Sequence, residues 1–197
     1  LGADITVQSA TKFLAGHADL LAGVAATNDP DLAVLLHRGQ LVSGALLPPI
    51  DSYRLLQDVK TLALRLERQQ QNARELIEFL SERPEVEKIF YAGSSSEEQG
   101  EVQSRQARGI GSVFSLLLKD GGDAQAFARS LPIFVNAVSL GGIESLVSLP
   151  AHTTHGAYAQ EHRDEFGVDD RLVRLAIGIE DVQDLIAALE IGLKAAF

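Results

Sequence analysis

The sequence has no cysteine, methionine or tryptophan among its 197 residues, and aromatic residues make up only 6% of it. Without cysteine the chain forms neither disulfides nor thiolate metal sites, so nothing in it indicates an oxidising compartment. The net charge of −10 leaves no basic stripe that could displace counterions from phosphates, which argues against nucleic-acid binding. No apolar run approaches the roughly 20 residues of a membrane span. The 46% of hydrophobic residues nevertheless suffices for at least one folded domain.

The first 84 residues combine two strand-like segments with long helical patterns. Residues 2–8 and 19–27 have the composition of strands, and residues 31–43 have that of a helix. Between residues 48 and 84, apolar residues recur at helical spacing, which predicts a single helix of about 34 residues, roughly 50 Å long. A compact domain does not need so long a helix internally, so we expect it to run from one domain into another.

Beyond residue 84 the sequence changes to short β-rich runs separated by turns. The runs are 86–91, 112–119, 134–139, 144–149 and 172–179. Helices are predicted at 123–131 and 181–196, and the polar segment 93–109 is predicted to be a solvated loop. This order favours a small α+β domain with helices on one face of a mainly antiparallel sheet. We therefore predict two domains, residues 1–84 and residues 85–197.

A lysine closely follows the first predicted strand. Lys12 lies three residues after Ser9 and one after Thr11. Ligands of α/β proteins collect at strand ends. The hydroxyls of Ser9 and Thr11 could donate hydrogen bonds to a phosphate, while the Lys12 amine forms a Schiff base with a carbonyl. This combination suits pyridoxal phosphate. The pattern leaves open the alternative of a lysine that merely extends its amine from the strand end into water.

Two other patterns suggest chemistry but lack the residues that would complete it. Ser9-x-x-Lys12 matches the motif of serine acyl-transferases, but that motif opens a helix and has S-D-N and K-T-G partners, which are absent here. His152 and His155 could bind a metal, but no third ligand lies at a useful spacing. We therefore predict neither acyl transfer nor a metal site.

Arg174 is unusual because it lies within the apolar run 172–177. A buried guanidinium needs an anion, and its planar fork suits a carboxylate. That carboxylate belongs either to an Asp or Glu of the chain or to a substrate, and the sequence leaves both open. Ser139, followed by Leu140-Gly141-Gly142, ends another predicted strand and brings a hydroxyl and backbone N–H groups to a sheet edge.

Taken together, these segments resemble the Cys/Met-metabolism family of pyridoxal-phosphate enzymes, which includes cystathionine γ-synthase, γ-lyase and β-lyase. The resemblance covers essentially the whole chain, with several motifs in matching order. They include Ser9-Ala-Thr-Lys12-Phe-Leu-Ala-Gly-His17-Ala-Asp19, Lys60-Thr61-Leu62, Arg65-Leu66-Glu67, Ser139-Leu140-Gly141-Gly142, Glu144-Ser145-Leu146, Thr154-His155 and Arg174-Leu-Ala-Ile-Gly178-Ile-Glu180-Asp181.

The resemblance implies an α/β fold in which residues 1–84 end the cofactor-binding large domain of a fold-type-I enzyme and include a connecting helix. A C-terminal α+β domain with a mainly antiparallel sheet follows. The resemblance further implies that Lys12 attaches pyridoxal 5'-phosphate and acts as the base, and that Ser9 and Thr11 hold the phosphate. Ser139 and Arg174 would bind the α-carboxylate of an amino-acid substrate. The implied reaction is elimination or replacement at the β or γ carbon of a sulfur amino acid, usually at a C–S bond.

The same resemblance implies a cytoplasmic homotetramer whose N-terminal half lies upstream of this chain, as the lack of methionine also suggests. We therefore expect the isolated 197-residue chain to be inactive. The alternative is a non-catalytic structural or oligomerisation module. Two departures bear on the site. Gln57 and Asp58 replace a usual Arg-Gly pair, and Val138 stands where many γ-lyases carry Glu.

Overall fold

The computed structural model describes residues 2–94 and 96–197, and it divides the chain into two compact units, Leu1–Ala63 and Leu64–Phe197. This division comes earlier than residue 84, where we place the boundary between functional domains. That boundary stays a prediction.

The first unit contains a two-stranded antiparallel sheet and two helices. Strands β1 (Thr6–Ser9) and β2 (Gly23–Ala26) pair with Ser9 opposite Gly23, and both are shorter than predicted. Helix α1 (Pro30–Ser43) confirms the helix predicted at 31–43. It begins after Asp29, whose carboxylate accepts hydrogen bonds from the first N–H groups of the helix, and it ends at a left-handed glycine. Helix α2 (Pro49–Asp58) follows.

The single long helix predicted between residues 48 and 84 is wrong in detail. Helix α2 is followed by a 3₁₀ turn at Val59–Thr61, after which helix α3 (Leu62–Ser81) begins. The hydroxyl of Thr61 donates to the carbonyl of Asp58 at 3.0 Å. A side chain that bonds to a carbonyl three residues earlier competes with regular α-helical hydrogen bonding and tightens the turn. The apolar periodicity continues through this turn and therefore conceals it.

The second unit contains a five-stranded sheet, as predicted. Its strands are β3 (Val86–Phe90), β4 (Val113–Leu118), β5 (Val135–Asn136), β6 (Leu146–Ser148) and β7 (Leu172–Ala176). Their order across the sheet is β3-β4-β7-β6-β5, and every neighbouring pair is antiparallel except β5 and β6. Strand β7 therefore lies at the centre, with β4 on one side and β6 on the other.

Four further helices belong to the second unit, and two of them were not predicted. They are α4 (Glu97–Gln106), α5 (Ala124–Ser130), α6 (Gln160–Glu165) and α7 (Val182–Ala196). The predictions of α5 and α7 are confirmed. The prediction of a loop over 93–109 is wrong for the residues of α4, and Ser95 lies outside the described residues. Helix α4 has no buried residue, so its sequence lacks the apolar stripe from which a helix is usually predicted. A serine cap, Ser96, starts it instead.

The core of the second unit lies on one face of the sheet. Val173 and Leu175 of β7 are fully buried, and in the strand register they stand beside Leu116 of β4 and Val147 of β6. Buried residues of α3, α5 and α7 join the same cluster. Because side chains alternate along a strand, Arg174 belongs to the opposite face. Among the described residues, no helix is both long and apolar enough to cross a bilayer.

Arg171, just before β7, joins three carboxylates at one end of the sheet. Its guanidinium lies 2.8 Å from Asp169, 2.9 Å from Glu87 and 2.6 Å from Asp120, and it also donates to the carbonyl of Leu118. Hydrogen bonds from the Arg171 side chain hold the pKa of Asp169 below its ordinary value, against the opposing effect of burial. The hydrogen bond to Asp169 in turn raises the pKa of Arg171.

We predict that Asp169→Asn lowers stability in a pH-dependent manner. The pKa of Asp169 is lower in the folded than in the unfolded chain, so the carboxylate stabilises the fold above the unfolded value, about pH 4. This contribution is lost as the pH falls through the folded value. Thermal unfolding from about pH 7 to pH 2 should show a difference in Tm that disappears at the acidic end.

Asp120→Asn is the matched control for this experiment. It removes a carboxylate from the same arginine, but Asp120 is 98% exposed, so solvent screens its pairing and its effect on Tm should be smaller. A difference in Tm between Asp169→Asn and the unaltered chain that stays constant across the pH range would contradict the prediction.

Candidate functional site

Lys12 lies in a tight turn directly after β1, in the first unit. Its backbone N–H donates to the carbonyl of Ser9 at 3.4 Å, and its carbonyl accepts from the N–H of Gly16 at 2.8 Å. Ala10 and Ala15 are completely buried within this turn, while Lys12 itself is half-buried. The turn therefore brings the lysine and the two predicted hydroxyl residues into one short segment.

The hydroxyls of Thr11 and Ser9 have different surroundings. Oγ1 of Thr11 accepts a hydrogen bond from the N–H of Ala22 at 2.9 Å and lies 3.3 Å from the carbonyl oxygen of the same residue. This contact braces the lysine turn against the segment before β2. The hydroxyl proton of Thr11 makes only the longer of the two bonds, so it is the part that can turn to another acceptor. Ser9 is exposed at the last position of β1.

Asp58, one of the two departures from the family pattern, ties the lysine turn to α2. Its Oδ1 lies 3.1 Å from Nδ1 of His17, which also lies 2.8 Å from the carbonyl oxygen of Ala15. Asp58 is the last residue of α2, and His17 follows the turn that carries Lys12. A glycine at position 58 could not form this contact.

Arg174 and Ser139 are in direct contact in the second unit. Nη2 of Arg174 donates to the carbonyl oxygen of Ser139 at 2.8 Å. Arg174 is the middle residue of β7, and in the register it stands opposite Ser115 of β4 and Ser148 of β6. These three polar side chains share the face of the sheet that lies away from the apolar core. The two residues that the resemblance assigns to a carboxylate are thus brought together.

The guanidinium of Arg174 keeps a hydrogen-bonding group without an acceptor. Its Nε is buried and has no partner among the residues that the structure describes. Within residues 2–94 and 96–197, no Asp or Glu pairs with Arg174, so the internal ion pair that the sequence left open is not formed there. A buried cationic donor without an acceptor is costly, and a carboxylate ligand would satisfy it.

Ser139 has an unusual backbone conformation. Its φ of 119° lies in a region that residues other than glycine rarely adopt, and Gly141 follows with a φ of 80°. Such a conformation costs on the order of 1–3 kcal/mol and persists only where the surroundings hold it. The turn at Ser139-Leu140-Gly141-Gly142 is therefore a fixed structure and not a flexible connection.

His152 and His155 make separate local contacts. Nε2 of His152 lies 3.3 Å from Nε2 of Gln125, whereas Nδ1 of His155 lies 2.9 Å from the hydroxyl of Thr154. The ring of His155 also lies near the exposed rings of Tyr158 and Phe166. Over the described part of the chain, no group of three or more His, Asp or Glu residues is arranged to hold a metal ion.

Comparison with known proteins agrees with the motifs. A family model described as Cys/Met metabolism PLP-dependent enzyme, where PLP is pyridoxal phosphate, matches residues 1–194. The chain belongs to this family. The resemblance predicted from the sequence is thereby confirmed.

Members of the family with different reactions are about equally similar to the chain. The chloroplastic cystathionine β-lyase of Arabidopsis thaliana is 41% identical over 194 residues, which cover 98% of this chain and 42% of that protein. Cystathionine γ-lyase from Lactobacillus plantarum, complexed with L-serine, superposes with a TM-score of 0.94 at 36% identity. Cystathionine γ-synthase from Xanthomonas oryzae pv. oryzae, in complex with aminoacrylate and cysteine, superposes with a TM-score of 0.91 at 36% identity.

The two structures cover 99% of this chain, and the chain covers 51% of each of them. The chain therefore spans about half the length of the proteins that it matches. The predicted fold, the end of a PLP-enzyme large domain followed by an α+β domain, is confirmed by this similarity.

The lysine turn of this PLP-dependent family member has the donors that the cofactor needs. A phosphate requires hydrogen-bond donors, and Ser9 offers an exposed hydroxyl, while the proton of Thr11 makes only a 3.3 Å contact. Lys12 supplies the amine in the same turn. The cofactor is an aldehyde with a phosphate, so an amine beside two hydroxyls fits it chemically.

Sequence reasoning gave no role to four polar residues that hold the segments after Ser139 and Arg174. Gln69 and Asn72 of α3 are completely buried, and they donate to carbonyls of Gly142 and Gly178. Ser145 and Glu180 bond to each other. A signal for the helix pair was present, since Gln69 and Asn72 fall on the same helical face as the buried residues Ala73, Leu76 and Leu80. Polar residues on an apolar face need buried partners.

We predict that Gly178→Ala lowers the stability of the second unit by about 1–3 kcal/mol. An added Cβ would overlap the carbonyl group of Ile143 and would lie 2.5 Å from a carboxylate oxygen of Glu180, and the backbone atoms cannot move aside as a flexible side chain could. Denaturant unfolding followed by circular dichroism measures the effect.

Gly100→Ala in α4 is the control, because its added Cβ would lie 3.4 Å from the nearest atom, which is an ordinary contact. Alanine also favours a helix over glycine by up to about 1 kcal/mol, so this variant should be unchanged or more stable. Equal losses of stability in the two variants would contradict a specific close approach at Gly178.

Proposed function

We propose that the chain supplies the cofactor-attachment and substrate-carboxylate segments of a PLP-dependent enzyme that acts on C–S bonds of sulfur amino acids. Lys12 attaches the cofactor, with Ser9 and Thr11 binding its phosphate. Ser139 and Arg174 bind the α-carboxylate of the substrate. The observation that carries this proposal is the buried Nε of Arg174, which has no acceptor among the described residues although the adjacent Nη2 is engaged by Ser139.

The geometry of a guanidinium favours a carboxylate as the ligand. Arg174 presents its N–H groups in a planar fork that matches two carboxylate oxygens, and such charge-assisted bonds are stronger than those between neutral groups. The carbonyl of Ser139 accepts from one arm of that fork, Nη2, at 2.8 Å. The serine hydroxyl is an additional donor at the same turn.

The chemical step divides between the cofactor and the chain. When bound, PLP withdraws electrons from the α carbon of an amino acid, which makes its proton acidic. The Nζ of Lys12 would accept the Cα proton and return it to the reacting carbons, as a general base and then a general acid. Arg174 and Ser139 would hold the α-carboxylate in place during this transfer.

The family contains enzymes of β-elimination, γ-elimination and γ-replacement. A β-lyase, a γ-lyase and a γ-synthase match this chain about equally well. Val138 occupies the position where many γ-lyases carry Glu, and it is 52% exposed. A valine cannot exchange protons or bind a polar group, which weakens the γ-lyase assignment. The substrates that fit the remaining reactions are cystathionine-like amino acids and activated homoserine esters.

We further propose a homotetrameric, cytoplasmic enzyme of transsulfuration and methionine biosynthesis, in which the rest of the large domain completes the cofactor site. The resemblance to the family supports this assembly. So do the exposed apolar residues of α1, which has no buried residue at all: Val34, Leu35, Leu41 and Val42. The same exposure favours the second candidate, a non-catalytic oligomerisation module. Incubation of the complete protein with pyridoxal phosphate separates the two, since only the enzyme should develop the absorbance of an adduct at Lys12.

Lys12→Ala should abolish cofactor attachment and turnover in the complete enzyme. Among the lysines, only Lys12 follows a strand with hydroxyls beside it. Borohydride reduction of the unaltered enzyme followed by peptide mapping should place the cofactor mass on Lys12. Lys60→Ala is the control, since that amine donates to the side chain of Gln57 at 2.9 Å, and it should retain the cofactor. Labelling of Lys60, Lys88, Lys119 or Lys194 with Lys12 unmodified would refute the assignment.

Arg174→Lys should raise KM for the amino-acid substrate far more than it disturbs folding. Lysine keeps the charge but loses the planar fork, at a cost on the order of 1.5–3 kcal/mol for a hydrogen bond to a charged group. Steady-state kinetics and thermal unfolding should be measured on the same preparations. An unchanged KM together with a collapse of thermal stability would show that Arg174 has a structural role only.

A further inference from the structure

A second set of buried hydrogen bonds joins the two segments that carry Ser139 and Arg174. The Ser145 hydroxyl donates to Oε2 of Glu180 at 2.9 Å, and the Ser145 N–H donates to Oε1 of the same carboxylate. The Ser145 oxygen accepts in turn from the N–H of Gly178 at 2.9 Å. Ser145 is completely buried. We refer to Ser145, Gly178 and Glu180 as the Glu180 bracket.

Asn72 of α3 holds the bracket from the helix side. Its Nδ2 donates to the carbonyl of Gly178 at 3.2 Å and to that of Glu180 at 2.9 Å. Asn72 has no exposed surface, so a displacement of these carbonyls would leave a buried amide without partners. The chain segment after β7 is therefore fixed on both sides.

The bracket and the Arg174–Ser139 contact are two links between the same two segments. Arg174 precedes Gly178 by four residues, and Ser139 precedes Ser145 by six. Between the two links, the N–H of Ile179 donates to the carbonyl of Ile143 at 2.9 Å. The two segments thus form a closed frame, in which loosening one link changes the separation at the other.

Ser139 needs such a frame because of its backbone. A serine with a φ of 119° relaxes to a commoner conformation unless the surrounding structure prevents it. Its carbonyl must also stay at hydrogen-bond distance from Arg174, since this bond aims the guanidinium fork. Both requirements are met by holding the turn at its far end, where Ser145 bonds to Glu180.

We propose that Glu180 is a positioning residue for the substrate carboxylate, which acts through Ser145 to hold Ser139 and Arg174 at their mutual distance. This inference rests on the proposed role of Arg174 and Ser139 in binding that carboxylate. Glu180 itself does not touch the ligand. Its effect on binding is transmitted by the two segments that it joins.

A carboxylate is the side chain that suits this place. The N–H and the O–H of Ser145 both donate to Glu180, and only a carboxylate offers two acceptor oxygens. A glutamine would accept from one group, but its NH₂ would face a hydroxyl that already receives the N–H of Gly178. Glu180→Gln therefore disturbs the bracket with little change in shape, and Glu180→Ala removes it.

The test compares two ligands in the complete enzyme loaded with cofactor. L-Serine and ethanolamine differ only in the carboxylate, so the ratio of their Kd values isolates its contribution. Both should be titrated by calorimetry against the unaltered enzyme, Glu180→Gln, Glu180→Ala and Arg174→Lys. We expect Glu180→Ala to weaken L-serine binding roughly tenfold and to leave ethanolamine within about twofold, with Glu180→Gln in between.

Two further variants separate positioning from general stability. Glu190→Ala removes a carboxylate of α7 that pairs with Arg83 at 3.3 Å, away from the frame, and it should lower Tm without changing the ratio of Kd values. Ser145→Ala keeps Glu180 and removes only the hydroxyl relay, and it should shift the ratio in the same direction as Glu180→Ala. If Glu180→Ala does not fold, Ser145→Ala and Glu180→Gln decide the question.

The outcomes distinguish this inference from the proposed function. If Arg174→Lys lowers the preference for L-serine while Glu180→Ala, Glu180→Gln and Ser145→Ala leave it unchanged, the positioning role is wrong and the carboxylate site stands. If Arg174→Lys leaves the preference unchanged, the carboxylate site itself is wrong. A shift in the ratio with Glu190→Ala as large as that with Glu180→Ala would show that the effect reports stability and not position.

Discussion

The central position of β7, paired with β4 on one side and β6 on the other, is the constraint on which the second unit, with the proposed carboxylate-binding residues, depends. Its two-residue repeat directs Val173 and Leu175 into the core and Arg174 to the opposite face. A slip of one residue would expose the two core side chains and bury the guanidinium among apolar groups, so hydrophobic burial fixes the register. The energy that stabilises the core thereby also determines where the cation lies.

Two features near β7 are energetically unfavourable, and a sheet with a purely structural role would avoid them. Ser139 has a positive φ, and the Nε of Arg174 is buried without an acceptor in the described part of the chain. Both are offset nearby by buried polar bonds, from Asn72 to the Gly178 carbonyl and from Ser145 to Glu180. Strain and unsatisfied polar groups that are held in place by a rigid surrounding network are typical of binding sites.

The sequence predicted those residues whose chemistry conflicts with their surroundings. Lys12 lies beside hydroxyls at a strand end, and Arg174 lies in an apolar run. Both residues pack poorly in such places, and for this reason they could be recognised as candidates for a functional site. The sheet and α7 were predictable from hydrophobic periodicity. Helix α4 was not, because it has no apolar face, and neither was the 3₁₀ turn at Val59–Thr61, since helical periodicity continues through it. Hydrogen bonds between residues distant in sequence, such as that from Asn72 to Gly178, leave no local pattern at all.

The two units that carry the proposed site residues differ in the size of their buried apolar cores. Arg174 and Ser139 belong to a unit with an extensive core of its own, whereas the described residues before Leu64 include few buried apolar side chains, chiefly Ala10, Ala15 and Leu20. Two of these lie in the turn of Lys12, and β1 and β2 are exposed on both faces. An isolated two-stranded sheet is only marginally stable in water. The proposed carboxylate-binding residues therefore lie in the well-packed unit, whereas the proposed cofactor-binding residues lie in a unit whose own apolar core is small.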